Sequence, residues 1–233
     1  MNEIYRIFSG KIKLILSTIK DEYDLIISNF EGDNLYEKVF SYLKLDDKDS
    51  EYLNEVKGNL TQFMKDIVPE IDNAKITLRP WPDDLNLKKE NVIYKSLDVL
   101  YALRCVRYNM IMSFIMQLYL IFEKELISFV NLDIPTKKSV HSLFEALNEL
   151  EKYVNLKFDG DFKKNVNKYR NICNVYKHGD GPSLKYLLEN YSCLINNFSI
   201  SFGVVDGSFS LNLKEVSVLE IYELIIKNIC IYN

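Results

Sequence analysis

The sequence predicts a mainly α fold, a helical bundle with a small C-terminal β-hairpin. Three features point there. Apolar residues recur at steps of three and four over most of the chain, the spacing that lines one face of an α-helix. Only 8 Gly and 5 Pro occur in 233 residues, too few for a fold built on many tight turns. Near the C-terminus the rhythm changes from helical to alternating around an Asp-Gly dipeptide.

Taken in order, Ile4, Phe8, Ile12, Ile15, Leu16, Ile19, Tyr23, Ile26, Ile27 and Phe30 form one stripe, a long amphipathic helix with a bend expected at Gly10. A shorter helix carries Leu35, Val39, Phe40 and Leu43 and ends in the charged run DDKD. Ser50 is placed to cap the next one, whose stripe of Leu53, Val56, Leu60, Phe63, Met64 and Ile67 continues to Pro69. Proline lacks the N–H a helix needs and clashes with the preceding turn, so the helix is expected to stop there. The segment KITLRPWPDDLNL, with turn-forming Pro and Asp around Trp81, is the one irregular connection. It suggests two parts, an N-terminal helical subdomain over residues 1–85 and a second helical bundle over residues 86–233.

From about Lys89 to Val130 the chain reads as one very long helix or two consecutive ones. Its most apolar run, Met110 to Phe122, is shorter than the roughly 20 residues that span a bilayer, and reads as a buried central helix. Pro135 breaks the pattern, Thr136 can cap, and Val140, Leu143, Phe144, Leu147 and Leu150 make the next stripe. Another helix is expected from near Asp161 to His178, stopped by Gly179 and Gly181 because glycine takes the left-handed conformation of a helix C-cap. Pro182 and Ser183 open a helix carrying Leu184, Leu187, Leu188, Tyr191, Leu194 and Ile195. The stretch SISFGVVDGSFSLNL then alternates about Asp206-Gly207, a pair suited to a two-residue hairpin turn, and a last helix carries Val218, Ile221, Leu224, Ile225 and Ile229.

Charge and cysteine content narrow the function. The 29 basic and 33 acidic residues give a net charge of −4, so the chain as a whole attracts neither nucleic acid nor anionic lipid, and a polyanion must be held by a local patch. Cys105, Cys173, Cys193 and Cys230 lie far apart within apolar helical patterns, with no CxxC pair, and read as reduced, buried thiols of a cytoplasmic protein. Charges interrupt the first residues throughout, so no secretory leader and no membrane association are expected.

The sequence contains no GxxxxGK, GxGxxG, HExxH or GxSxG motif. With only His141 and His178 present, a histidine-based metal centre or a Ser-His-Asp triad lacks material, and no metal or cofactor is expected. His141, in the first turn of a predicted helix, reads as solvent-exposed. His178 is different. It closes the segment KYRNICNVYKHGDGPSLKYL, where Arg170, Asn174 and His178 follow at steps of four and share a helix face, with Asn171 and Lys177 beside them. One reading is structural, since cations at a helix C-terminus offset its dipole. The other is functional, because capping requires a charge but does not require His next to Lys with Asn on the same edge. Elsewhere, Arg104 and Arg107, with Lys95 and Arg79, form either a basic strip for a nucleic-acid backbone or the solvated edge of a buried helix.

An Arg followed by a polar residue, with a His near the end of the same helix, resembles the signature of the HEPN superfamily, helical proteins many of which are RNases of toxin-antitoxin, CRISPR and abortive-infection systems. Arg170-Asn171 and His178 carry the likeness, and NVYKHGDGPS looks like a lysine-histidine-glycine variant in which Asn174, Lys177 and His178 are the core set. Seven residues separate Arg170 from His178, more than the family's usual pattern has, which rotates the two by about 80° on an ideal helix. Upstream, RYNMIMSFIMQLYLIFEKEL resembles the long helix of such proteins, ending in an acidic residue, here Glu123 or Glu125. The likeness covers about residues 95 to 200.

The resemblance implies metal-independent RNA cleavage. RNA brings its own nucleophile, the 2′-hydroxyl, so base, acid and charge stabilisation suffice. His178 would be the base or acid, as histidine titrates near neutrality. Arg170 and Lys177 would stabilise phosphoryl charge, and Asn171, Asn174 and Arg107 would hold substrate. The resemblance also implies a homodimer, which brings two histidines to one site, and a role in phage defence or a toxin-antitoxin pair with a regulatory protein partner. The alternatives are a non-catalytic helical interaction protein (immunity, antitoxin or scaffold subunit), which the acidic pI of about 5.4 suits, and an RNA or nucleotide binder that has lost catalysis.

Overall fold

A computed structural model describes residues 3–72, 90–135, 138–155, 157–179, 181–196, 210–211 and 216–230. The described chain is mainly helical. Its helices are α1 (Glu3–Ile27), α2 (Gly32–Tyr42), α3 (Asp47–Asp72), α4 (Glu90–Asp133), α5 (Leu143–Val154), α6 (Gly160–His178), α7 (Pro182–Asn190) and α8 (Val218–Ile229), with short 3-10 turns at Ser28–Phe30 and Ser192–Leu194. Two strands of two residues each, β1 (Ile195–Asn196) and β2 (Ser210–Leu211), pair antiparallel.

The chain folds into two units, and they are interleaved. One takes residues 1–24, 111–192 and 214–233; the other takes residues 25–110 and 193–213. The boundary expected from sequence at residue 85 lies outside the described residues. Helices α1 and α4 each contribute to both units, so no single cut in the sequence could separate them.

In the second unit, α2 supplies Leu35, Tyr36 and Val39, α3 supplies Tyr52, Val56, Leu60 and Met64, and α4 supplies Val92, Ile93, Leu100 and Leu103 to one core. Each such side chain stabilises the fold by roughly 1.5–3 kcal/mol when fully buried. Two local details differ from the sequence reading. Helix α3 starts at Asp47, before Ser50, because the Asp46 carboxylate accepts the Asp49 N–H at 2.8 Å and does the capping. It also runs through Pro69 to Asp72, so only the last turn lies beyond the proline and little of the hydrogen-bond ladder is lost. On α4 of the same unit, Arg104 is 8% exposed, not a solvated edge. The Leu211 N–H donates to the Tyr108 hydroxyl at 3.2 Å, which fastens β2 to α4.

That strand pairing bears on the expected hairpin. A ladder closed by a two-residue turn at Asp206-Gly207 would oppose Ser210 to Gly203, whereas Ser210 is paired with Asn196. The short ladder therefore has a register that this turn does not set, and the turn itself lies outside the described residues. Thr136, Trp81 and Arg79 lie outside them too.

In the first unit, α1 packs Phe8 flat on Phe129 of α4, with ring centroids 4.1 Å apart, and the Tyr5 hydroxyl donates to the Ile229 carbonyl of α8 at 2.8 Å. Helix α4 is continuous over 44 residues, and by length and composition alone it is long and apolar enough to cross a membrane. Its apolar side chains from Ile111 to Val130 are largely buried in the fold. Helix α5 begins with a full capping box: Glu145 N–H donates to Ser142 Oγ at 3.3 Å, and the Glu145 carboxylate accepts the N–H groups of His141 and Ser142 at 2.9 and 3.1 Å. His141 is exposed, just ahead of the cap residue.

Helix α6 packs against α7 and α8. Its Tyr169 hydroxyl donates to the Ser217 carbonyl at 3.2 Å, and Lys168, 7% exposed, pairs with Glu220 in the first turn of α8. Lys163, one turn into α6, pairs with Glu151 of α5 at 2.7 Å. These contacts fix the rotation of α6 about its axis, and so decide which of its side chains face water.

Two predictions follow from these pairs. Removing the carboxylate in Glu220→Gln leaves a nearly buried ammonium without its counter-charge and should cost about 2–4 kcal/mol, whereas Lys168→Met removes the charge itself and should cost about 1 kcal/mol or less. Urea melts of the two variants check the order; equal losses would show that the pair does not hold the ammonium as described. The second concerns Glu145, whose carboxyl is held below the ordinary carboxylate range by the His141 N–H and then by Ser142. Its stabilising effect is complete above the ordinary value near 4.3 and is lost as pH falls through the lower folded value. Glu145→Gln keeps an acceptor without a titrating group, so its urea midpoint should fall less than that of the parent chain between about pH 5 and pH 3.

Candidate functional site

Helix α6 is delimited by its own chemistry. The Asp159 carboxylate accepts the Asp161 N–H at 3.2 Å at the start, and at the end Gly179 takes φ +67° and donates its N–H to the Val175 carbonyl at 2.8 Å. A side chain with a Cβ rarely adopts that backbone conformation, and the glycine lets the helix end at His178. Phe162, Val166, Tyr169, Ile172, Cys173 and Val175 are buried and set the inner face.

Arg170, Lys177 and His178 are exposed, and Asn174 is half-buried. At about 100° per residue, Lys177 lies within about 20° of Arg170, Asn174 about 40° to the other side and His178 about 80°. All four therefore occupy roughly a quarter of the helix circumference. Arg170, Lys177 and His178 make no side-chain hydrogen bond or ion pair among the described residues, in contrast to Lys163 and Lys168 on the same helix. Asn174 is committed: its amide donates to Ser183 Oγ on α7 at 3.3 Å, bracing the turn through Gly179 and Gly181. Asn171 bonds back to the Asn167 carbonyl at 2.8 Å, so its amide is spent on its own helix.

The neighbouring surface of α4 adds two groups. Tyr119 donates to Glu123 at 3.2 Å. Burial first and Glu123 second push its phenol far above the ordinary range, while the positive charge of Arg170 pulls the other way. Cys173 is pushed up to about 12 by burial, with Lys177 lowering it and Glu123 raising it further. Those mutual influences place Glu123, Tyr119, Arg170, Cys173 and Lys177 in one electrostatic neighbourhood spanning α4 and α6. Of the two carboxylates the sequence left open, Glu123 belongs to it; Glu125 is paired with Lys11 of α1 at 2.5 Å. Tyr119 was not singled out from sequence, and Cys173 only as one of four buried thiols. Tyr119 stands four residues before Glu123, and that spacing was the available signal.

Arg107 is not part of this group. It lies in the other unit and pairs with Glu31 at 2.7 Å, its side chain 16% exposed and its Nε buried without a hydrogen-bond partner. Among the described residues no group of three or more His, Cys, Asp or Glu side chains is placed to hold a metal ion.

The arrangement can do two things chemically. Two fixed cations and an imidazole, exposed on one helix end, can receive an anion; an imidazole in that company can also exchange a proton with a bound hydroxyl. Comparison of the chain with family models, with curated proteins and with solved structures finds no match.

The thiols offer a check on the geometry. Cys173 and Cys230 are buried, whereas Cys105 and Cys193 are exposed, which corrects the expectation that all four are core residues. Burial raises both inner thiols, so in the native chain at about pH 8 an aromatic disulfide reagent should titrate two cysteines rapidly and the other two only after denaturation. Rapid loss of Cys173 in the folded protein would place the α4–α6 contact in error.

Proposed function

We propose that the chain is a HEPN-type endoribonuclease that cleaves RNA without a metal cofactor. One observation carries the reading: the end of α6 collects Arg170, Lys177 and His178 with their polar heads exposed and, among the described residues, in no side-chain hydrogen bond or ion pair, on the edge that Asn174 braces against α7. Lys163 and Lys168 on the same helix pair with Glu151 and Glu220, whereas these three have no such partner among the described residues. In this role His178 takes the proton of a ribose 2′-hydroxyl. The 2′-oxygen attacks the adjacent phosphorus, and the 5′-oxygen leaves with a proton from a second acid, giving a 2′,3′-cyclic phosphate and a 5′-hydroxyl. Arg170 and Lys177 stabilise the charge that builds on the phosphoryl oxygens. Homodimerisation supplies the second imidazole. Glu123, through Tyr119 and its reach toward α6, is a positioning group for the cationic edge.

The biological setting that goes with this reading is a cytoplasmic phage-defence or toxin-antitoxin system with a regulatory protein partner. Asn171 and Arg107, tied as they are to Asn167 and Glu31, contribute to substrate only if they exchange those bonds for RNA. A second reading has its own support. The net charge of −4 suits a non-catalytic interaction protein, in which the same edge docks an acidic surface.

End-labelled RNA incubated with the purified chain in EDTA separates these readings. The parent protein should leave 2′,3′-cyclic ends, His178→Ala should lower the rate at least roughly 100-fold, and Lys177→Ala and Arg170→Ala should lower it less. Circular dichroism confirms that each variant is folded, which is expected because all three side chains are exposed. Binding without cleavage identifies an RNA binder that has lost catalysis, and absence of both identifies the interaction protein.

A further inference from the structure

His178 is the last residue of α6, and from there the chain reaches α7 by way of Gly179 and Gly181. Both glycines have positive φ, +67° and +151°, and at neither would an added Cβ meet another atom within 4 Å. Ordering such a turn costs more chain entropy than ordering one built from other residues, and the space beside both glycines is open. The side-chain bond that spans it, among the described residues, runs from the Asn174 amide to Ser183 Oγ at 3.3 Å.

Neither end of that bond serves its own helix. Asn171 bonds back to the Asn167 carbonyl one turn earlier, the ordinary local choice for an asparagine, whereas Asn174 crosses to α7. Ser183 stands second in α7, after Gly181 as N-cap and Pro182, and no side chain caps this helix, so its hydroxyl is not spent on the helix start. Position gives the bond its consequence. Behind His178 the helical ladder holds the main chain, up to the Gly179 N–H on the Val175 carbonyl at 2.8 Å. Ahead of it lies the glycine turn. Asn174 is one helical turn before His178 on the same face, and Ser183 lies beyond the turn on the other side. Joining the two fixes where α6 ends, and so where the backbone of His178 stands relative to Arg170 and Lys177.

We propose, resting on the cleavage reading, that Ser183 is a positioning residue of the site: it holds the Asn174 amide, and the pair fixes the stem of the imidazole that takes the 2′-hydroxyl proton. Asn174 then serves the geometry of the site and does not hold substrate.

Steady-state cleavage of a short RNA oligonucleotide in EDTA, with a urea melt of each variant, tests it. Ser183→Ala should lower kcat roughly tenfold and leave KM within about twofold, because the imidazole is misplaced while the exposed cations that meet phosphate are untouched. Asn174→Ala should do the same. The double variant should be no slower than either single one, since one bond can be lost only once. Ser183→Thr keeps the hydroxyl and should recover most of the rate. A side chain that only stabilised the fold would lower the urea midpoint and leave kcat of the folded protein unchanged. A parent chain that does not cleave overturns the cleavage reading and the positioning role with it. With a parent that cleaves, the positioning role alone is overturned if Ser183→Ala keeps the parental kcat, if the two single losses multiply in the double variant, if Ser183→Thr is as slow as Ser183→Ala, or if the loss falls on KM.

Discussion

Helix α4 has more apolar surface than any one neighbour can cover, and that constraint organises the rest of the structure. Val92, Ile93, Leu100 and Leu103 of its first half are buried in one core with α2 and α3, and residues 111–133 belong to the unit built from α1, α5, α6, α7 and α8. A helix that is apolar along more than one side must be enclosed from several directions. The enclosing helices come from both ends of the chain, with Tyr5 of α1 bonded to Ile229 of α8 more than two hundred positions later. The interleaving of the two units is the consequence.

Within that arrangement α6 is held by what flanks its polar edge. Lys168 and Tyr169 are fastened to α8, Cys173 is buried in the neighbourhood of Glu123, and Asn174 reaches Ser183 across the glycine turn. Arg170 sits between the first two anchors and the last two, so its backbone has little freedom, while its side chain remains in water. The same holds less strictly for Lys177 and His178, which precede the turn. Ordering such long side chains costs up to about 2 kcal/mol each. The helix thus presents well-placed stems with mobile heads, and a bound phosphate would itself have to supply the energy that orders them.

Much of this was legible from the sequence, and the limits have physical causes. The span of α6 could be read closely because the 3.6-residue period and the glycine after His178 both mark the same end. The apolar stripes of α1, α5 and α8 were equally plain, since each buries one face. Pro69 misled because a proline in the last turn removes few bonds, and Ser50 misled because three carboxylates lie just upstream and Asp46 caps first. Partners distant in sequence left no local mark. Nothing in the residues around Arg107 indicates Glu31, and nothing around Asn174 indicates that Ser183 will take its amide. The hairpin register failed for the same reason: alternation shows which residues face together along a strand, but the pairing of Ser210 with Asn196 is a long-range choice.

The structural and chemical readings of the α6 terminus can be weighed by charge. A helix C-terminus presents about half a negative charge, and one cation is ample to offset it. Arg170 and Lys177 together exceed that need severalfold, so dipole compensation accounts for only part of the cluster. Glu123, in the same neighbourhood across α4, takes up a further unit. What remains from the fixed charges is a weakly positive edge. In an acidic protein such a field is felt only within about 8 Å at physiological ionic strength. An anion is therefore recognised here only on close approach, where the imidazole is within reach of whatever the anion carries.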